Sequence, residues 1–443
     1  MIQNLADLLF MPYVVGVLLA VGVFLTIRLR AVQVRRFGDA LRATRQRSRA
    51  EASGMLSPFQ AFATALAASI GTGNIAGVAT AIISGGPGVL AWIWIYGFFA
   101  TAIKFAEATL GVRFRQHVGA DLRSGPMYYL RDGLRSPALA WIYAAVAGIA
   151  ALTTTPFTQP NSIAIAVNAV FGVPTWIVGL VVAILTFLVI VGGIRTIGRV
   201  AEKLAPLKVG LYLVGGFVVI LTFAARVPHV LAMVVHEAWT TRSALGFGVF
   251  VAMRYGVARG IYANEAGYGT AAVAYGTAKS DTPVVQGLQA VMEVFVVSFV
   301  TATISALTIL VSGVAEQSMI ARHAGTPFVT STAAVASAFD AAMPIAGGWI
   351  VAFCALLFGY TTLVGWSYYG EQFLAYVFGR RVVAPYRWIY CALIPFGAVL
   401  RPETVWAWGD LMNALQVLPN VIGLVVLSRL VARDAQTPLE FRR

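Results

Sequence analysis

The stretch "SIGTGNIAGV", Ser69 to Val78, lies inside a segment that otherwise reads as a membrane-spanning helix. Two glycines, a threonine and an asparagine at that depth need a reason, because an interrupted helix in lipid leaves main-chain groups that no water can satisfy. Gly71 and Gly73 lack the Cβ that makes non-helical backbone costly. Unwinding is tolerated where the freed N–H and C=O groups face a cavity or a bound polar ligand, so the interruption reads as a site.

The rest of the chain supports a membrane setting. Of 443 residues, 59% are hydrophobic and 11% charged, and the mean hydropathy is +0.80, too apolar for soluble domains. The net charge of +14 does not point to nucleic acid, since the basic residues form short clusters between apolar spans rather than one accessible face. Cys354 and Cys391 lie in apolar segments and imply no disulfide framework. His117, His229, His236 and His323 are too scattered for a metal site.

Apolar runs of roughly 20 residues mark membrane helices. Eleven are expected, near 9 to 28, 57 to 83, 88 to 112, 138 to 168, 174 to 193, 204 to 226, 244 to 278, 284 to 313, 346 to 370, 384 to 400 and 404 to 429. No basic residue precedes the first, whereas eight arginines follow it before Glu51. That pattern argues against a cleaved signal and predicts an external N-terminus. Alternation from there puts most basic residues in cytoplasmic loops, among them Arg113, Arg115, Arg123, Arg131 and Arg135, and leaves Arg226, Arg242, Arg322 and Arg401 outside. The C-terminus, with Arg433, Arg442 and Arg443, is then cytoplasmic.

A second interruption, "ARGIYANEAGYG" from Ala258 to Gly269, occurs five spans after the first and carries Arg259, Asn264 and Glu265 to membrane depth. An odd separation makes the two broken helices run in opposite directions. The chain therefore divides into an extra helix and basic loop (1–56), a first five-helix repeat (57–226) and an inverted second repeat with a cytoplasmic tail (227–443). Inverted repeats that begin with discontinuous helices characterise secondary transporters with a site at the midplane. The predicted fold is all-α and polytopic, with eleven membrane helices. Freed amides suit a carboxylate, and freed carbonyls suit Na⁺ or an ammonium group, so an α-amino acid matches two such breaks.

Competing readings of the first break are weaker. Gly71, Gly73 and Ala76 match a dinucleotide fingerprint, but the preceding segment is helical and no βαβ unit is present. Gly73 and Gly77 form a helix-packing GxxxG, which leaves Thr72, Asn74 and the second break unexplained. Among other ionisable groups at depth, Lys104 and Glu107 have the spacing of a facing pair. Glu265 reads as a support for the second half-helix or as a proton acceptor. Arg254 and Arg259 are candidate partners for Glu265 or Glu293.

The segments "GTGNIAGVATAIISGGPG", "KFAEATLGVRFR", "SGPMYY", "VARGIYANEAGYGTA" and "GWSYYGE" together resemble the alanine or glycine:cation symporter family, in matching order from about residue 57 to the end of the ninth span. The resemblance implies the LeuT/APC-type inverted-repeat fold and Na⁺- or H⁺-coupled import of a small neutral amino acid across the plasma membrane. Carried over by position, Thr72, Gly73 and Asn74 face the substrate, Gln159 hydrogen-bonds it, and Gly260, Ile261 and Ala263 line the pocket. Trp366 closes its apolar side. Two departures stand out: Val296, Val297 and Ser298 replace a common Ile-Asp-Thr, removing an acidic side chain, and Ala263 replaces a small polar residue.

The leading expectation is a symporter for alanine or glycine, the D-isomer included, with Na⁺ as coupling ion. Thr361 and Thr362 would hold the ion with carbonyls near Ala68 to Gly71. An H⁺-coupled carrier is the alternative, and a passive channel a weaker one, since a channel favours a continuous lined pore. No nucleophile and base arrangement, zinc-protease motif or nucleotide loop indicates an enzyme or pump. The expected partners are the substrate and the lipid bilayer, with no nucleic acid and no protein partner indicated.

Overall fold

The computed structural model describes residues 13–45, 53–118, 121–240, 248–280 and 282–439. The start of the first expected span, Arg47, Arg49, Arg242, Arg442 and Arg443 lie outside the described residues. Within them, each expected span falls on helix. Among the described residues, seven helices are long and apolar enough to cross a membrane, and a bent pair makes eight. The helices Val15–Arg28 and Thr175–Ile190 are shorter, as are the arms of the second broken helix, Val249–Asn264 and Thr270–Gly276.

The bent pair is the first broken helix. Its first arm, Pro58–Ser69, starts in a capping box: Ser57 Oγ accepts from the Gln60 N–H while the Gln60 side chain accepts from the Ser57 N–H, with Pro58 at the first helical position. A single 3-10 turn, Thr72–Asn74, follows the break, and Ala76–Gly85 completes the helix. The two arms are bent by 61°. The second broken helix stops at Glu265, whose φ of +56° is left-handed, and Gly267 and Gly269 keep the connection in that region before Thr270. A non-glycine residue there is strained and persists only when its surroundings hold it.

Val89–Arg113 packs against both arms of the second broken helix, Val249–Asn264 and Thr270–Gly276, and against Pro283–Val294. Ala346–Phe378 packs against Pro58–Ser69. Gly365 permits that approach, since a Cβ there would lie 2.8 Å from the Ala68 Cβ. Outer helices expose apolar side chains, as Thr175–Ile190 does with Trp176, Leu180, Ile184 and Leu188, which suits a lipid surface.

The fold is mostly helical, as expected, with one short antiparallel hairpin, Gln116–Val118 and Asp121–Arg123, that pairs His117 with Leu122. The structure corrects the sequence reading in two places. The helix expected from 204 begins at Gly193 and runs to Thr222, so Lys208 sits mid-helix rather than near an end. Lys104 and Glu107 do not pair with each other. Lys104 Nζ meets Glu293 Oε1 at 2.8 Å, donates to Asn264 O at 2.5 Å and to Ser69 Oγ at 3.2 Å. Glu107 Oε1 instead accepts from the Gly267 and Gly269 N–H groups, at 2.9 and 3.0 Å, and from Asn420 Nδ2 at 2.8 Å. The break beside them supplies unpartnered main-chain groups, and these outnumber what either side chain could offer the other.

Glu293 also accepts from Ser69 Oγ at 2.5 Å and from the Tyr275 hydroxyl at 2.9 Å, so one ion pair ties the first arm of each broken helix together. Removing one member of a buried pair strands a charge and costs about 3–5 kcal/mol. Glu293→Leu should therefore lower the thermal midpoint of the purified protein sharply, while Lys104→Met combined with Glu293→Leu should recover most of the loss. An equal loss in both variants would assign the effect to packing alone.

Candidate functional site

At the first break the helical ladder stops, and the polar groups it releases can be followed one by one. The Gly71 N–H turns to Ser69 O (3.0 Å), which releases Ala67 O. The Thr72 N–H bonds Gln159 Oε1 (3.1 Å) and releases Ala68 O. The Asn74 N–H takes Gly71 O (3.0 Å) and releases Ile70 O. Buried carbonyls need donors, and neighbouring helices provide them. Lys208 Nζ donates to Ala67 O at 3.0 Å and to Ile70 O at 2.5 Å. The Thr362 hydroxyl donates to Ala68 O at 2.9 Å. Thr361 Oγ1 accepts from Lys208 Nζ at 2.6 Å and lies 2.9 Å from Leu357 O, the carbonyl four residues earlier in its own helix.

Beside this cluster is a narrow cavity of about 20 Å³, room for about one water and below the usual range for ligand sites. The first broken helix contributes Ala68, Ser69, Gly71, Gly73 and Asn74, and the second contributes Tyr262, Glu265 and Tyr268. Thr154, Thr155, Gln159, Thr362, Trp366 and Asn413 complete the wall. Gly73 is required by Tyr262, whose ring would lie 2.9 Å from a Cβ at that position. Tyr262 in turn packs on Trp406, with ring centroids 5.0 Å apart.

Gln159 uses Oε1 to accept from both the N–H and the hydroxyl of Thr72, at 3.1 and 2.9 Å. Its amide nitrogen has only Thr158 Oγ1 at 3.5 Å, which is long for a hydrogen bond. Asn74 Nδ2 donates to Ser69 O at 3.1 Å, while Asn74 Oδ1 has no partner among the described residues. The cavity wall therefore offers a ligand both a donor and an acceptor. Across it, Trp366 Nε1 donates to Glu265 Oε1 at 2.6 Å, and the Thr270 hydroxyl donates to Glu265 Oε2 at 2.8 Å. Glu265 thus fixes the start of the second arm.

Of the residues expected at a substrate site, Gly73, Asn74, Gln159 and Trp366 line this cavity, and Thr72 stands directly behind Gln159. Gly260, Ile261 and Ala263 do not. A Cβ on Gly260 would lie 2.7 Å from the Tyr96 ring, and Ile261 and Ala263 are buried in packing. Helical rotation turns the opposite face, with Tyr262, toward the cavity. Of the expected ion ligands, Ala68, Gly71 and Thr362 line the wall, whereas Thr361 is held by Lys208 behind it. Neither Arg254 nor Arg259 is the partner of Glu293, which Lys104 holds; Arg259 lies over the Trp406 ring at 5.4 Å. Among the described residues no cluster of His, Cys, Asp and Glu could hold a metal ion.

Lys208, Tyr262, Tyr268, Thr154, Thr155 and Asn413 were not expected at the site. Lys208 had a legible signal, being a lone lysine in an apolar run. The others carry none beyond residue type.

The chain matches the sodium:alanine symporter family over residues 1–440. It is 36% identical to the sodium/alanine symporter AgcS of Methanococcus maripaludis, over 98% of this chain and 95% of that protein. It is 31% identical to the putative sodium/proton-dependent alanine carrier protein YrbD of Bacillus subtilis, over 97% and 90%. A crystal structure of a variant manganese transporter from Eremococcus coleocola superposes with a TM-score of 0.58 at 15% identity, over 86% of this chain and 83% of that one, a likeness of fold alone. With its family match spanning nearly the whole length, the chain belongs to the sodium:alanine symporter family.

Proposed function

We propose that this protein imports one small neutral amino acid, alanine or glycine in either the L- or D-form where chiral, together with a cation across the plasma membrane. The observation that carries this reading is the narrow cavity that both broken helices line, with Trp366 and Tyr268 in its wall; it must widen to admit the substrate. A zwitterion needs an acceptor for its ammonium and donors for its carboxylate. Asn74 Oδ1 and the Gln159 amide nitrogen stand ready on one wall.

Eleven spans, arranged as an extra helix and two inverted repeats with the N-terminus outside, remain the architecture that best suits this function. The count is the eight candidate crossings plus Val15–Arg28, Thr175–Ile190 and the second broken pair. For the cation, sodium at Ala68, Gly71, Thr361 and Thr362 is the reading that the family name favours. A proton is favoured by a different observation, the Lys208 ammonium on Thr361 and two freed carbonyls.

Counterflow in proteoliposomes tests the carrier itself. Labelled alanine should accumulate transiently against unlabelled alanine trapped inside, and equilibration without accumulation would instead indicate a channel.

Trp366 sets the size limit in this reading. Trp366→Ala should admit branched substrates, and it should also cost about 3–5 kcal/mol of stability through lost packing, so selectivity is compared in folded protein. An unchanged preference for alanine over valine would contradict the role. For Gln159→Leu, two separate losses are expected. The stranded Thr72 N–H should cost about 1–3 kcal/mol of stability without substrate, and alanine affinity should weaken by about 1–2 kcal/mol. Wild-type affinity in the variant would leave Gln159 as a brace for the break alone.

A further inference from the structure

We propose that Lys208 carries the coupling proton: its ammonium is the cation that fills the oxygen cluster at the first break, where the threonines and carbonyls lead one to expect Na⁺. This rests on the symporter reading above and names its driving ion. The ammonium has three N–H bonds, and three oxygens meet it: Ala67 O at 3.0 Å, Ile70 O at 2.5 Å and Thr361 Oγ1 at 2.6 Å. Two are carbonyls released by the break, and the third is one of the two hydroxyls expected to bind sodium. Lys208 is fully buried, and its nitrogen stands 5.2 Å from the centre of the Phe358 ring, a cation–π distance.

A sodium ion at this place needs the same oxygens, and two positive charges at contact distance in a low-dielectric interior repel strongly. Occupancy by Na⁺ and by the ammonium are therefore alternatives. An ammonium, unlike a metal ion, gives up its charge by releasing a proton. One proton taken up on the outside and released inside with each zwitterionic amino acid moves one positive charge inward and returns the protein to its starting state.

The elements packed on Lys208 leave it without an ion-pair partner among the described residues. Pro58–Ser69, Thr175–Ile190 and Ala302–Val311 carry no titratable side chain. On Ser331–Ala342, Asp340 accepts from the Gly348 N–H. Ala346–Phe378 carries Cys354, Tyr360, Tyr368, Tyr369, Tyr376 and Glu371, the last paired with Arg387. On the helix of Lys208 itself, Arg195, Arg199, Glu202 and Lys203 lie near its start, and Tyr212 hydrogen-bonds Ser305. Glu265, on the second broken helix, has both its oxygens taken by Trp366 and Thr270.

The test uses the full-length protein in proteoliposomes, with a pH dye inside and Na⁺-free buffers, after alanine counterflow has been measured. Alanine is expected to drive proton entry, and an imposed inward proton gradient to raise uptake by about tenfold or more. In Lys208→Met, alanine-dependent proton entry should fall by about tenfold or more. Lys208→Ala, which leaves the three oxygens open, should make alanine binding responsive to Na⁺ by about tenfold, within the usual range of coupling between sites. The wild-type result stands even if both variants fail to fold. Counterflow without alanine-dependent proton entry, or uptake that needs Na⁺ and ignores the proton gradient, overturns the role of Lys208 and leaves the symporter standing. Absence of counterflow overturns the symporter itself.

Discussion

A main chain that breaks its helix inside a membrane must find new partners for the groups it releases, and this requirement organises the molecule. At the first break the released groups that find partners on other helices are mainly carbonyls, and the cationic side chain of Lys208 and the hydroxyl of Thr362 meet them. At the second break Glu107 collects the amides of Gly267 and Gly269, and Lys104 takes the carbonyl of Asn264. Each group left unmet would cost about 1–3 kcal/mol. Buried ions from neighbouring helices therefore stand where helical hydrogen bonds would otherwise be.

That solution has a consequence for function. Ions that satisfy a broken backbone also fix it in place, so the breaks hold their shape while leaving a few polar atoms uncommitted. Asn74 Oδ1 and the Gln159 amide nitrogen are such atoms, and both belong to the cavity wall. The aromatic side of the same cavity is anchored through Glu265, whose left-handed backbone is secured by hydrogen bonds from Trp366 and Thr270. In the proposed role, a ligand here would meet polar atoms already held in place, which lowers the ordering cost of binding.

Much of this was legible in the sequence because it rests on local chemistry. Glycines beside Thr72 and Asn74 in an apolar run announce a break, and the run lengths locate the helices. The pairing of buried ions was not legible. Lys104 and Glu107 share a helix face by spacing, yet each turns to a different element, since the released groups of the second break lie outside the reach of any pattern along one helix. Lys208 was missed for a simpler reason: the apolar run begins at 204 while the helix begins at Gly193, so a mid-helix lysine reads as a terminal one. The facing residues around the second break were displaced by rotation, with Tyr262 taking the position expected of Gly260, Ile261 and Ala263, because the sequence gives the break but not the angle at which the arm before it is seated.

The account turns on the proposal that one small zwitterion binds between the two breaks. Equilibrium binding of labelled alanine to the purified protein measures this most directly. A single saturable site per chain, competed by glycine and not by leucine, is the predicted result; no saturable binding, or equal competition by leucine, would contradict it.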